Sequence, residues 1–524
     1  LTHRLTSLAA PPERPLPLWI LYPLFFVGIY LSHDSLLRLP YFWDEAGYYI
    51  PAALDFFHTG SLIPHSTLTN AHPPLPSILL AAWWRVAGLS INGTRTFLCM
   101  IAAAALLGVF RLGRLLGGNA VAVTVTALTA LYPIWFVQST LAHADLFAAT
   151  FTLWALSFYF ERRQPLAIAI LFSLAALAKE TAIVTPLALA LWELRPAPTA
   201  RAFKLALALI FPVIPLAAWY AYHHHVTGFT FGNPEFLRYN ATANLTPARI
   251  LLSLWHRSVH LFFHMDMFVP VVCALACLPM PKRPGETPPA LLPLNLQTIA
   301  LILAANAIAF SILGGALLTR YLLPMYPLIL LVCAAVWQQR FRRWVWLAIV
   351  SGVAFLLALT VNPPYSFAPE DNLTYRDFIQ LHQRAINLLA NHFPHATVLT
   401  AWPASAELSH PELGYVRKPI ANIAIDNFSL PEIQKAAAEP GDYDTALVFS
   451  TKWVPPAGAF SLTRPTESTD TRYFDFHRDL TPAEIAVQLH GEVVWESHSH
   501  GEWAAILRFP RAAEAGLREP PLLW

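Results

Sequence analysis

The sequence predicts a polytopic α-helical membrane protein of about 11 transmembrane helices, with a soluble α/β domain at its C-terminal end. Three observations carry that expectation. Hydrophobic residues make up 56% of the 524, and the mean hydropathy is +0.46. Charged residues make up only 13%, where soluble domains carry roughly 25%. The charge is also unevenly spread: up to residue 361 there are 22 Lys+Arg and 12 Asp+Glu, and beyond it 12 and 20. Net charges of +10 and −8 imply two domains, 1–361 and 362–524, in two environments.

A membrane helix needs about 20 predominantly apolar residues. Runs of this kind fall near 16–33, 94–111, 119–138, 143–160, 165–179, 181–193, 203–222, 258–279, 291–313, 319–337 and 343–361. The first lacks a small-residue cleavage site and is followed by many similar segments, so it reads as a retained span, not a signal peptide. The two short runs flanking Lys179 are either two helices meeting at a turn or one broken helix. A long first loop covers about 34–93. In it Ile50–Phe57 and Leu75–Leu89 predict interfacial helices, with Trp83 and Trp84 suited to the headgroup level. Pro-rich stretches such as 279–293 punctuate the helices.

Orientation follows from the basic residues. With the N-terminus cytoplasmic, fourteen Lys and Arg fall on the inner side, packed into short turns such as Arg162-Arg163 and Arg340 to Arg343. Eight fall on the longer outer connections. The bias places the first loop outside, and an odd span count puts the C-terminal domain there too. Asn-x-Ser/Thr triplets at Asn92, Asn240, Asn244, Asn372 and Asn427 would then face out.

Beyond residue 361 the texture changes. Tyr375–Phe393 has the period of an amphipathic helix, and Thr397–Thr400 and Thr445–Ser450 read as short buried strands. Leu430–Glu439 and Thr481–Leu489 read as helices, the second capped by Thr481 with Pro482 at its first position. Glu492–Phe509 reads as strand–turn–strand about His500-Gly501. The four cysteines, Cys99, Cys273, Cys277 and Cys333, sit in apolar runs as small hydrophobes and offer no disulfide framework.

Polar islands close several apolar runs. Tyr41 to Tyr49 contains the acidic pair Asp44-Glu45 among aromatics, and Asn70 to Leu75 contains His72-Pro73-Pro74. Ala142-His143-Ala144-Asp145, Ala178-Lys179-Glu180-Thr181 and Thr319 to Pro324 follow. Charge beside a bilayer is expensive, so each is a candidate functional site, and each has a plainer reading. Asp44-Glu45 suits a general base or interfacial decoration. The prolines after His72 aim an imidazole or merely start a helix. Asp145 binds within a site or caps a helix N-terminus. Lys179-Glu180 is too deep for a solvated face, yet a structural ion pair would explain it. Arg320 opens a helix, where the dipole disfavours a cation, which points to anion binding. His223-His224-His225 point in different directions on a helix and do not suit one metal ion. There is no GxGxxG, P-loop, HExxH or CxxC pattern, which argues against a Rossmann nucleotide-sugar site or a metalloprotease.

Taken in order, Phe42-Trp43-Asp44-Glu45-Ala46, His72-Pro73-Pro74-Leu75, the Asp145 span, Leu177-Ala178-Lys179-Glu180 and Arg320-Tyr321-Leu322-Leu323-Pro324 resemble the GT-C membrane glycosyltransferases. The nearest groups are the protein O-mannosyltransferases and lipid A aminoarabinose transferases, including the Rgt-type lipopolysaccharide transferases. The resemblance covers about 16–361; the C-terminal domain carries no matching motif. It implies a GT-C-like transmembrane domain in a bacterial inner membrane, serving the cell envelope. It also implies inverting transfer of a hexosyl or pentosyl group from a polyprenyl-phosphate donor to a lipid, glycan or protein acceptor on the outer face. The family's catalytic base falls on Asp44, with Glu45 in the neighbouring acidic position. Lys179 and Arg320, with Tyr321, would meet the donor phosphate, and His72 and Asp145 would shape the sugar pocket. No cofactor is implied; some branches use a divalent metal, and no cluster here argues for one.

Two readings from other classes stand beside this one. A secondary transporter or lipid flippase also lines its path with buried acids and cations, but the long outer loop, the lack of visible repeats and the appended domain argue against it. A non-catalytic scaffold displaying the C-terminal domain is the other. The topology itself is testable: a reporter active only outside the cytoplasm, fused after Trp524, is expected to be active. A silent reporter on a stable fusion would overturn the orientation or the span count.

Overall fold

Where the helices stop decides where the polar residues sit. The structure is a computed structural model that describes residues 17–509, except residue 68 and segments 196–198, 239–244, 284–291, 314–315, 439–441, 456–466 and 475–476. Asn240, Asn244, most of the Pro-rich stretch 279–293 and the end of the expected helix at Glu439 lie outside the described residues.

The helix Ile91–Leu131 is the mast of the molecule. Ser90 caps its start by accepting from the Gly93 N–H at 3.1 Å, and Gly118 bends it with φ +82°. Small residues such as Ala102, Ala103 and Ala105 are fully buried, which lets the helices Leu18–Ser32, Ala144–Glu161 and Tyr326–Arg340 pack close. The outer faces carry exposed Trp19, Leu191, Leu251, Trp346 and Leu357. An apolar exterior of this extent is a surface for lipid. Among the described residues three helices are long and apolar enough to cross a membrane: Ile91–Leu131, Ala200–Thr227 and Pro293–Ile312. Five apolar helices are shorter, so the expectation of about 11 spans stays one of sequence.

Several expected spans are differently cut. The runs 94–111 and 119–138 form one kinked helix that ends at Leu131, before Pro133. The run 258–279 breaks at His264–Asp266, where Met265 and Asp266 take φ +47° and +62°, leaving the helix Phe268–Cys277. The run 319–337 opens with the tight turn Thr319–Leu322, and its helix starts only at Tyr326. Pro324 and Pro327 lack the N–H that a longer helix would need. At Lys179 the helices Pro165–Ala178 and Val184–Glu193 meet through the turn Glu180–Ile183.

The first loop holds the helices Ile50–Thr59 and Leu75–Ala87, packed on one another. Its entry is locked by Glu45, which is fully buried. Glu45 accepts from Arg95 at 2.6 and 3.0 Å, from the Phe42 N–H at 2.9 Å and from the Ala142 N–H at 2.5 Å. Arg95 in turn donates to Pro40 O at 2.9 Å and Thr140 O at 2.6 Å. One ion pair therefore ties the loop to the mast and to the segment ahead of Asp145.

After the helix Trp344–Ala358 the chain passes through the turn Pro369–Asp371 to the helix Thr374–His392 and a five-stranded sheet. The strands are β1 (Val398–Ala401), β2 (Asn422–Ile425), β3 (Thr445–Phe449), β4 (Glu492–Ser499) and β5 (Glu502–Arg508), in the order β2-β1-β3-β5-β4. The first three are parallel; β5 runs antiparallel to β3 and β4. Central β1 and β3 are wholly buried, as expected of parallel strands covered on both faces. The β4–β5 hairpin turns on His500 and Gly501, both at positive φ, a pairing that matches strand twist. Trp402, directly after β1, lies over Gly47 and meets Trp43 edge-on at 4.8 Å. The Tyr41 N–H also donates to Leu413 O at 3.1 Å, so the sheet region sits directly on the Asp44 loop.

The lock makes a stability prediction. Arg95→Leu strands a buried carboxylate and is expected to cost about 3–5 kcal/mol in denaturant unfolding in detergent. Arg95→Leu combined with Glu45→Met should recover much of that loss. A cost under about 1 kcal/mol for the single change, the level of an exposed pair, would refute the role of the lock.

Candidate active site

The Asp44 loop is held from both sides before any functional group is placed. Tyr41 donates to Thr94 Oγ1 at 2.8 Å, and burial pushes its phenol up to about 12. Phe42 packs edge-on against Tyr375 and Phe378. Trp43 takes φ +45°, a left-handed conformation that costs a bulky residue free energy. The rings of Trp402 and Phe378 hold it there. The chain then enters the wide helical turn Glu45–Tyr49, a distortion frequent at functional sites.

At this point the two adjacent acids part. Glu45 points into the lock with Arg95, away from any opening. Asp44, its side chain 33% exposed, pairs with Arg320. The sequence grouped them as a catalytic pair; in the structure Glu45 has no exposure to solvent.

Arg320 is the hub. Its guanidinium donates to Asp44 and to Glu370, and its Nε stands 3.2 Å from Asp145 Oδ2. Lys179 meets the other Asp145 oxygen at 2.5 Å and lies over the Tyr321 ring, 3.8 Å from its centroid. Tyr321 stacks on Phe310 at 5.7 Å. Each position has a local cause. Asp145 is in the first turn of Ala144–Glu161, where the dipole favours an anion. Lys179 is the extended residue at a helix break, and Arg320 sits in the turn before Tyr326–Arg340. A narrow cleft lined by Asp145, Lys179, Asn306, Phe310, Arg320 and Tyr321 runs beside the hub.

The structure thus brings Asp44, Asp145, Lys179, Arg320 and Tyr321 together. His72 lies one step away: its Nδ1 pairs with Glu180 Oε2 at 3.0 Å, and its ring stacks on Tyr49 at 6.1 Å. Burial pushes the Tyr48 and Tyr49 phenols up, so both present neutral hydroxyls. His223 turns to Thr69 Oγ1 at 2.7 Å and Phe229 O at 2.6 Å. No group of three or more His, Cys, Asp or Glu side chains that could hold a metal occurs among the described residues.

Sequence reasoning missed Glu370 and Asp371. Glu370 bonds Arg320, while Asp371 bonds Thr319 and meets His264 Nε2 at 2.9 Å. Burial pushes the Glu370 carboxyl up to about 7 against the pull of Arg320. A signal existed: an acidic pair soon after the last apolar run, as Asp44-Glu45 follows the first.

Neither a family model nor a curated protein matches the sequence. The fold does have relatives. The crystal structure of ArnT from Cupriavidus metallidurans bound to undecaprenyl phosphate covers 95% of this chain and 99% of that chain, with TM-score 0.54 and 14% identity. The apo state of the same protein covers 93% and 97%, with TM-score 0.52 and 12% identity. An oligosaccharyltransferase from Archaeoglobus fulgidus is more distant, covering 82% of this chain and 67% of its own at TM-score 0.44 and 12% identity. At such identities the likeness is one of fold alone.

Proposed function

We propose that this protein is a membrane glycosyltransferase that moves a sugar, with inversion, from a polyprenyl-phosphate donor to an acceptor hydroxyl on the extracytoplasmic face. One observation carries the reading. Asp44, Asp145, Lys179, Arg320 and Glu370, scattered over more than 300 residues, meet as a single ion cluster beside a cleft. The ArnT chain of the same fold holds undecaprenyl phosphate, which supports a lipid-linked phosphate as the ligand.

In the proposed mechanism the donor phosphate replaces a carboxylate on Arg320 and draws on Lys179. Two cations then face the oxygen on which negative charge grows as the sugar leaves, and in a desolvated site such preorganised charge is effective. Asp44, relieved of Arg320, accepts the proton of the acceptor hydroxyl while that oxygen attacks the anomeric carbon. The carbon–oxygen bond to phosphate breaks, and polyprenyl phosphate departs with the electron pair. Asp145 holds Lys179 and Arg320 in place, and His72 with Tyr49 lines the approach. Glu45 secures the loop and touches no reactant. No cofactor takes part in this scheme.

The test is Asp44→Asn, which keeps shape and removes basicity. Turnover with the lipid-linked sugar identified by mass spectrometry in the purified protein should fall by about 10²–10⁴-fold, with donor affinity no weaker than in the wild type. Glu45→Gln serves as the neighbour control and should act through stability. Transfer by Asp44→Asn at close to the wild-type rate would sink the assignment and reopen the transporter reading.

A further inference from the structure

Three carboxylates and two cations form the hub. Asp44, Asp145 and Glu370 converge on Arg320, and Lys179 pairs with Asp145. The other charged groups on this side are engaged elsewhere. Glu180, next to Lys179, pairs with His72, Asp371 is held by Thr319 and His264, and Arg257 donates to Leu318 O from across the Tyr321 ring. With all three acids ionised the hub carries one surplus negative charge in a buried place. A phosphodiester arriving there adds another. The surplus has to be neutralised for the anion to stay.

Glu370 is the carboxylate built to do this. It is almost fully buried, unlike Asp44, and only one of its oxygens is engaged. Its Oε1 is buried and has no hydrogen-bond partner among the described residues, a costly state for a charged oxygen and a tolerable one for a protonated carboxyl. Its titration already lies near neutrality, because burial raises it and Asp44 and Asp371 stand nearby.

We propose that Glu370 is the charge-compensating residue of the donor site, taking a proton from solvent as the phosphodiester settles on Arg320. The proposal rests on the donor-site reading given above. Glu370 is a positioning residue: protonated, it loosens its hold on Arg320 and lets the guanidinium turn to the phosphate. The linkage has a definite sign. The complex binds up to one proton more than the free protein, so affinity is highest at acid pH and falls as pH rises through about 7.

The experiment measures binding of the methyl diester of farnesyl phosphate in detergent from pH 6 to 8. A diester is used because a phosphate monoester has its own ionisation near pH 6. For wild type, Kd should rise about tenfold across this range, as one coupled proton requires. Glu370→Gln, neutral throughout, should show a flat profile and bind at least as well as wild type at pH 8. Titration calorimetry of wild type in two buffers of different ionisation enthalpy reports proton uptake directly, so the result stands even where the variant is unstable. A flat wild-type profile overturns the proposal. So does a tenfold change that survives Glu370→Gln, which would place the proton on a different group. Failure of the wild type to bind the diester at any pH overturns the donor-site reading itself.

Discussion

A guanidinium taken out of water must be answered by carboxylates, and Arg320 is answered by three. That single requirement joins the first loop, the helix after Pro133–Gln138, the break at Lys179 and the turn Pro369–Asp371. Asp44 and Arg320 are 276 residues apart in sequence. Buried ion pairs contribute little net stability against well-packed apolar groups, since desolvation cancels much of the attraction. Such a cluster is better explained by what it holds ready than by the fold it supports. The support comes from the lock between Glu45 and Arg95 and from small-residue packing along the mast.

Much of the helical architecture was legible because a bilayer enforces it. Apolar runs had to be helices, since no other open structure satisfies its backbone in lipid. The two helices of the first loop, the break at Lys179 and the hairpin about His500-Gly501 could be read for related local reasons. What escaped was set by backbone detail. Nothing in Met265-Asp266 announces two consecutive left-handed residues, a conformation for which glycine is the usual sign. Strand β2 is only four residues long and half-exposed, too short and mixed to show a period.

The site was legible in part. Asp44, Asp145, Lys179 and Arg320 stood out because charge at the ends of apolar runs demands a reason. Glu370 did not, because it lies in a stretch where acids are ordinary. Separating Glu45 from Asp44 was also beyond composition, as neighbours on one turn differ in direction by about 100°. The clue lay in spacing: Glu45 accepts from the N–H of Phe42, three residues back, in the manner of a capping box. Arg95 sits among the apolar residues of the mast, a place that calls for a buried partner.

The contact between Gly47 and Trp402 couples the two halves of the chain. The indole occupies the space where any other residue at position 47 would carry its first carbon, with ring atoms 2.7 Å from that point. One partner belongs to the membrane loop and the other to the sheet, and neither shape makes sense without the other. A side chain grown at position 47 would therefore be felt first in the sheet region, through the indole. A sheet lacking an indole at this point would leave a gap above the loop, and a loop lacking the glycine would turn the partly exposed indole aside.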